Sequence, residues 1–240
     1  PREDGIEYSL ESVVVNVNKK KNSEILGEEF INIAGKPNIL EEVGEYQFEI
    51  SPGSFYQVNP VQMEHLYQKA AEYAGLTGKE TVLDLYCGVG TIGLFCAKDA
   101  GKVIGIESVK QAVLDANRNA TINGSVNATF ICGKVEDVLP GLLSGQEGKD
   151  GEWIPPVKPD VVILDPPRSG CHPALLKAVA EAAPDRIVYV SCDPATLARD
   201  VKLLSEMGYE MKEATPVDMF PQTAHVEAII LMTRSGSSDK

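Results

Sequence analysis

No two of the five cysteines stand at C-x-x-C spacing: Cys87, Cys96, Cys132, Cys171 and Cys192 are scattered, and their number is odd. That excludes the paired-thiolate pattern of a structural zinc site and offers no disulfide framework. No apolar run approaches the ~20 residues that a bilayer-spanning helix needs. The charged start and apolar core of a secretory signal peptide are missing as well. Basic residues are in short supply: 22 Lys and Arg stand against 35 Asp and Glu, a formal net charge of -13. A chain that grips phosphates over its whole surface carries the opposite balance. These absences point to a cytoplasmic protein whose contact with nucleic acid, if any, rests on a few local cations.

What is present is ordinary for a globular chain. At 43% hydrophobic and 24% charged residues, 240 residues suit one large α/β domain, alone or with a fragment of another. Residues 1–53 read as short strands and turns. Strands are expected from Val13 to Val17 and from Glu45 to Ile50, the second by the alternation of Tyr46, Phe48 and Ile50. This stretch is too small and too charged to hold a core, so it reads as the remnant of a preceding central domain or as a β extension packed on the main domain. Residues 54–234 form that main domain, and residues 235–240 a disordered tail.

Asn59 before Pro60 is a cap followed by a first-turn proline, and Met63, Leu66, Tyr67 and Ala70 then recur on one helical face. Beyond Gly78, strand and helix patterns alternate. Apolar strands are expected at Thr81 to Tyr86, Lys102 to Ile106, Ala128 to Cys132, Val161 to Leu164 and Arg186 to Val190. Helices are expected at Thr91 to Lys98, through Val109, Ala112, Val113, Ala116 and Ala120, near Pro173, and from Pro194 with Leu197, Val201 and Leu204 inward. Residues 143–159 read as a loop, and two strands near Glu210 to Val217 and Val226 to Thr233 close the chain. Repeated βαβ units mean a mostly parallel sheet with helices on both faces. Such sheets place ligands at the carboxyl ends of their strands.

Asp84-Leu85-Tyr86-Cys87-Gly88-Val89-Gly90-Thr91-Ile92-Gly93 joins a strand to a helix. Gly88, Gly90 and Gly93 have the spacing of a dinucleotide fingerprint, whose glycines let the backbone turn tightly and approach a ligand. Glu107 ends the next strand, placed to accept hydrogen bonds from a ribose diol. Together these point to an adenosine-type cofactor, with NAD and S-adenosylmethionine both open. Asp84 favours the second, because a carboxylate faces a cationic amino-acid moiety well but repels a pyrophosphate. Asp165-Pro166-Pro167-Arg168 follows a later strand. Prolines remove donors and stiffen the backbone, so a carboxylate and its neighbouring carbonyls can be held against a planar base. A lone Asp-Pro-Pro is otherwise an ordinary turn.

Ser191-Cys192-Asp193-Pro194-Ala195-Thr196 follows an apolar strand and opens a helix, with Asp193 as cap and Pro194 as first residue. Cys192 thus stands at a helix N-terminus, where the macrodipole favours thiolate and the Asp193 charge opposes it. Cys96, Cys132 and Cys171 read as buried packing residues, and Cys87 as packing or as lining the glycine turn. Gln222-Thr223-Ala224-His225-Val226-Glu227 precedes the final strand. If that strand is antiparallel, its start lies at the same sheet edge as Cys192, and Glu227 faces the same pocket. His225 either orients the loop or touches substrate. A thiol and a carboxylate are the minimum set for methylating C5 of uracil. That carbon is a poor nucleophile until a thiolate adds at C6, and its proton must then be removed by a base.

Taken in order, Phe55-Tyr56-Gln57-Val58-Asn59-Pro60, the glycine turn, Asp165-Pro166-Pro167-Arg168, Ser191-Cys192-Asp193-Pro194 and His225-Val226-Glu227 resemble the RNA 5-methyluridine methyltransferases that act on tRNA and ribosomal RNA. The resemblance runs from about Gly53 to Thr233. It implies a Rossmann-like class I methyltransferase fold: a mostly parallel seven-stranded sheet with an antiparallel last strand. It also implies methyl transfer from S-adenosylmethionine to C5 of a uridine. Gln57, Tyr86, Glu107 and Asp165, with Gly88 and Gly90 in the turn, would bind the methyl donor. Cys192 would be the nucleophile and Glu227 the proton acceptor, with Phe55 and Arg168 near the substrate and no metal. Full-length members usually begin with a β-barrel RNA-binding domain, and many hold a 4Fe–4S centre on a cysteine cluster. Neither precedes Pro1, so the chain reads as a catalytic fragment: a monomer with weak RNA binding, no iron–sulfur cluster and no membrane contact.

Other readings stay open beside it. An amino-group methyltransferase acting on adenine or cytosine through Asp165-Pro166-Pro167 needs no thiol, although Arg168 stands where an aromatic usually follows the prolines. A cytosine-5 RNA enzyme would bring a second cysteine near those prolines, and Cys171 is too far along to fit easily. A non-catalytic module that binds S-adenosylmethionine and RNA needs neither Cys192 nor Glu227.

Overall fold

Two antiparallel hairpins come first in the computed structural model, which describes residues 10–19, 26–27, 29–57, 59–147 and 152–236. Strand β1 (Ser12–Val17) pairs with β2 (Glu29–Gly35), and β3 (Ile39–Val43) pairs with β4 (Tyr46–Ile50). β2 and β3 are absent from the sequence reading. β2 runs into Ala34 and Gly35, and β3 carries Glu41 and Glu42 side by side, all residue types depleted in strands. Val43, Phe48 and Ile50 are nonetheless buried in the core that the main domain shares. Residues 237–240 of the expected tail lie outside the described residues.

Helix α1 (Pro60–Ala74) starts as its local chemistry dictates. The Asn59 side chain accepts from the amide of Gln62, Pro60 fills a position that needs no N–H, and Gly75 in the left-handed region ends the helix. Alternation comes next: β5 (Thr81–Leu85), α2 (Thr91–Ala97), β6 (Lys102–Glu107), α3 (Lys110–Ile122), β7 (Ala128–Cys132) and α4 (Val135–Ser144). A two-residue pairing of β8 (Gln146–Glu147) with β9 (Trp153–Ile154) precedes β10 (Val161–Leu164), α5 (Pro173–Ala182), β11 (Arg186–Ser191), α6 (Pro194–Glu206), β12 (Tyr209–Val217) and β13 (Glu227–Arg234).

The seven-stranded sheet runs β12-β13-β11-β10-β5-β6-β7. Only β13 is reversed, antiparallel to both β11 and β12, which matches the Rossmann-like expectation. From β5 the chain moves outward to β6 and β7, then returns to lay β10 on the other side of β5. The order therefore reverses between β5 and β10, and a crevice opens there at the strand ends. Both faces are covered. Val161 and Ile163 of β10 join the core beneath α1 and α2, while Val162 and Leu164 join the core beneath α5 and α6.

Three details differ from the sequence reading. Residues 143–159 are not all loop: α4 reaches Ser144, and β8 and β9 lie within that range. α4 itself is hidden because Pro140 sits inside it, where proline removes a hydrogen bond; buried Val135, Leu139 and Leu142 hold the helix in place. Val109 is the cap of α3 and 47% exposed, so it does not share the inward face of Ala112, Val113, Ala116 and Ala120. Cys132 is exposed rather than buried, since it ends β7 at the sheet edge. Among the described residues no helix is long and apolar enough to cross a membrane.

Helix α3 also grips β4 by side chains. Asp115, Asn119 and Asn123, four apart, accept from the amides of Ser51, Glu49 and Gln47, two apart, at 3.0, 2.7 and 2.9 Å. A helix rises ~6 Å in four residues and a strand ~6.6 Å in two, so the ladder stays in register. Asn119 further donates to the carbonyls of Glu49 and of Val89 in the glycine turn, at 3.2 and 3.1 Å.

Candidate active site

Two loops leave the carboxyl ends of β5 and β10 at the point where the sheet order reverses. In the first, Tyr86, Gly88 and Gly90 all take positive φ, at 66°, 54° and 84°. The amides of Tyr86 and Cys87 both donate to the Ile106 carbonyl, which folds the turn back onto β6. The two glycines serve different ends. A Cβ on Gly88 would meet nothing within 4 Å, so its backbone is bare toward the crevice. On Gly90, the cap of α2, a Cβ would press on Phe130 at 2.7 Å. Glu107, at the end of β6, braces the turn by accepting from the amides of Gly88 (3.2 Å) and Val109 (2.8 Å) and from the Ser108 hydroxyl (3.0 Å).

Asp84 does not face the crevice. Its side chain turns to α2, where Oδ2 accepts from the Gly93 amide at 2.9 Å, and Oδ1 is buried without a partner. Burial pushes its carboxyl up to about 7, against the opposing Gly93 hydrogen bond. The charge argument built on Asp84 therefore passes to other acids.

Cys192 is delivered by the junction of β11 and α6. Asp193 caps α6, accepting from the amides of Ala195 and Thr196 at 2.9 and 3.0 Å, with Pro194 as the first helical residue. Because β13 is antiparallel, its first residue, Glu227, pairs with Val217 next to the Ser191–Ala228 pair that ends β11. Glu227 and Cys192 thus arrive at one sheet edge from strands running in opposite directions. Glu227 is only 3% exposed. Burial raises its carboxyl, and the Arg168 charge opposes that. The Cys192 thiol is raised by burial and then by Glu227 and Asp165, while a hydrogen bond and the charge of Arg168 pull it down. Burial, with Glu227 and Asp84 nearby, holds the Asp165 carboxyl well above its usual range.

One cavity of about 590 Å³ joins these parts. Phe55, Gln57, Tyr86, Gly88, Glu107, Asp165, Arg168, Cys192 and Glu227 all line it, which is every residue that the family resemblance named except Gly90; Asp84, Gly93 and His225 do not line it. Cys87 lines it too, whereas Cys96 and Cys171 are buried elsewhere. Phe55 is 72% exposed at the rim. Sequence reasoning missed Tyr67, Thr91 and Phe220 as wall residues. Tyr67, hydrogen-bonded to Thr91, lies on the inward face of α1 and reads only as core. Phe220 comes from the loop before Glu227 and meets His225 edge-on at 6.3 Å; its place in that loop was the available signal. Among the described residues Arg168 is the one Lys or Arg of the wall, which it shares with the carboxylates of Glu107, Asp165 and Glu227. A concavity of about 660 Å³ at the C-termini of α1 and α2 shares no lining residue with this cavity. No cluster of His, Cys, Asp or Glu fit to hold a metal occurs among the described residues.

The chain also has relatives. The tRNA (Uracil-5-)-methyltransferase family profile matches residues 10–235. An uncharacterized RNA methyltransferase of Clostridium acetobutylicum is 50% identical over 225 residues, covering 94% of this chain and 47% of the relative. One from Caldanaerobacter subterraneus is 52% identical over 225 residues, covering 94% of this chain and 48% of the relative. The chain thus spans about half the length of the curated relatives it matches. Among solved structures, the Pyrococcus abyssi tRNA (uracil-54, C5)-methyltransferase in complex with S-adenosyl-L-homocysteine superposes with a TM-score of 0.75 and 36% identity, over 94% of this chain and 52% of that one. Trm5b from Pyrococcus abyssi, at 18% identity and a TM-score of 0.65, shares the fold alone. With the profile spanning nearly all of its length, the chain belongs to the tRNA (uracil-5-)-methyltransferase family.

Proposed function

We propose that this chain methylates C5 of a uridine in tRNA or ribosomal RNA, with S-adenosylmethionine as methyl donor, Cys192 as nucleophile and Glu227 as base. The observation that carries the reading is the meeting of Cys192 and Glu227 in one cavity with Gln57, Tyr86, Gly88, Glu107 and Asp165. That cavity fits the donor. Its volume lies within the ~300–1,000 Å³ of small-molecule sites. Gly88 leaves bare backbone on the wall, and Glu107 and Asp165 suit a ribose diol and a cationic group, whereas a pyrophosphate would meet like charge. The Pyrococcus abyssi relative, with its bound S-adenosyl-L-homocysteine and its uracil-54 specificity, supports both the donor and the target. Residues 54–234 carry the reaction in this reading, and the described strands before them read as a β extension whose Phe48 and Ile50 pack into their core.

The residues divide the chemistry among them. Phe55, exposed at the rim, offers a ring face for a base to stack on. Arg168 favours the thiolate of Cys192. The thiolate lone pair forms the S–C6 bond, and the C5–C6 π pair moves toward C5 and the O4 carbonyl. S-adenosylmethionine, when bound, would supply an electrophilic methyl group to that carbon, its S–CH3 bond breaking to leave neutral S-adenosyl-L-homocysteine. Glu227 then accepts the C5 proton; the C–H pair rebuilds the C5–C6 double bond as the S–C6 bond breaks and thiolate returns. Glu227 suits this step because burial makes its carboxylate a stronger base than a solvated one. RNA carrying 5-fluorouracil should trap the chain covalently, since fluorine cannot leave C5 as a proton does. Cys192→Ala should abolish both the trap and methyl transfer; a Cys192→Ala protein that still methylates uridine would overturn the assignment.

A further inference from the structure

Helix α6 carries more than the cap beside Cys192. Further along it, Arg199 and Asp200 hold the segment from Arg168 to Cys171 by its backbone. The buried Asp200 carboxylate accepts from the Cys171 amide at 2.7 Å, from the Tyr189 hydroxyl at 2.6 Å and from Arg199 Nε at 2.8 Å. Arg199 in turn donates to the carbonyls of Ser169 (2.9 Å) and Cys171 (3.3 Å). One turn earlier, the Thr196 hydroxyl donates to the Arg168 carbonyl at 3.0 Å. Gly170 crosses this pair so closely that a Cβ there would lie 2.5 Å from both Arg199 and Asp200. Asp200 has no exposure while the Arg199 side chain is 48% exposed, and burying one charge of an ion pair is a poor source of stability compared with apolar packing. Its donors instead fix one short segment, the one that bears Arg168.

We infer that Asp200, acting with Arg199 and Thr196, is a positioning residue: it ties the Arg168 segment to the helix that starts beside Cys192, so that one rigid element sets the guanidinium against the thiol. Asp200 touches neither the cavity nor a reacting atom. The inference rests on the proposed role of Cys192 for its significance, but its test needs neither RNA nor methyl donor. The charged groups bearing on the Cys192 thiol are Glu227 and Asp165, which raise it, and Arg168, which lowers it.

The test is alkylation of the chain with iodoacetamide across a pH series, read at each cysteine by peptide mass spectrometry, with exposed Cys132 as internal reference. Asp200→Asn should slow alkylation of Cys192 at neutral pH by about 3- to 10-fold and move its midpoint upward. The sign discriminates: removing a negative charge alone would make Cys192 more reactive, so slowing requires that Arg168 has moved. On an Arg168→Ala background, Asp200→Asn should add nothing. Thr196→Val, a near-isosteric change at a half-buried side chain, should shift the profile in the same direction by less, and it decides the matter if Asp200→Asn does not fold. Overturning results are an unshifted profile in a folded Asp200→Asn protein, equal slowing with and without Arg168, or, where only Thr196→Val folds, no shift in it. A chain that fails to methylate uridine yet shows the expected profiles would remove the proposed function and leave this inference standing.

Discussion

Asp84→Asn should make the protein more stable at alkaline pH and less so, or no more so, in acid. Asp84 is 1% exposed and one of its oxygens has no partner, so its carboxyl is pushed from 3.8 up to about 7. A carboxyl raised by burial holds its proton more tightly in the folded chain than in the unfolded one. The stability it contributes is complete below pH ~4 and is lost as pH rises to and through 7. A displacement of about 3 pH units corresponds to about 4 kcal/mol at ~1.4 kcal/mol per unit, as an upper bound. Asparagine removes the charge and can still accept from Gly93, but its NH₂ would leave an unmatched donor, costing about 1–2 kcal/mol. The variant should therefore gain about 2 kcal/mol over the parent near pH 8 and lose the advantage near pH 4. Urea denaturation at both pH values, with equal slopes for the two proteins, measures the swing. Parallel stability curves across that range would refute the reasoning, because they would mean that Asp84 titrates as a solvated acid.

Glu227→Gln should leave thiol addition intact while turnover falls about 10²- to 10⁴-fold, so that a methylated RNA–protein adduct accumulates on denaturing gels; an adduct-free variant turning over at the parent rate would exclude Glu227 as the base. Gly90→Ala should lower the melting temperature more than Gly88→Ala, since only the former meets Phe130; both carry the left-handed strain of ~1–2 kcal/mol. Gly88→Ala should stay folded and bind S-adenosylmethionine more weakly by calorimetry, because its methyl would stand on the cavity wall. Asn119→Ala should cost about 2–3 kcal/mol by urea denaturation, since it leaves the amide and carbonyl of Glu49 unmatched.

Local chemistry made the helix starts legible. Asn59-Pro60 and Asp193-Pro194 each join a capping side chain to a residue that tolerates the first turn, and α1 and α6 open there. The apolar runs of β10 and β11 gave the buried strands, because strands covered on both faces have no polar side to show. Cys192 and Glu227 could be placed together without coordinates since a reversed last strand starts where its neighbour ends. Other points depend on register and tertiary packing. Gly88 and Gly90 belong to one motif, yet only the position of Phe130 beneath the turn assigns one to the cavity and the other to packing. Which side of β5 carries Asp84 is likewise invisible until α2 lies against it. Pro140 argued against α4 locally, and three buried side chains outweighed it.

The ladder from α3 to β4 has a consequence for association. β4 is bonded to β3 along one side, and its other side would present free amides and carbonyls, a template on which a foreign strand could grow. Asp115, Asn119 and Asn123 occupy those groups, so a helix blunts the edge in place of a neighbouring strand. Since Asn119 also holds Val89, prying that hairpin loose would slacken the floor on which the methyl donor is proposed to rest.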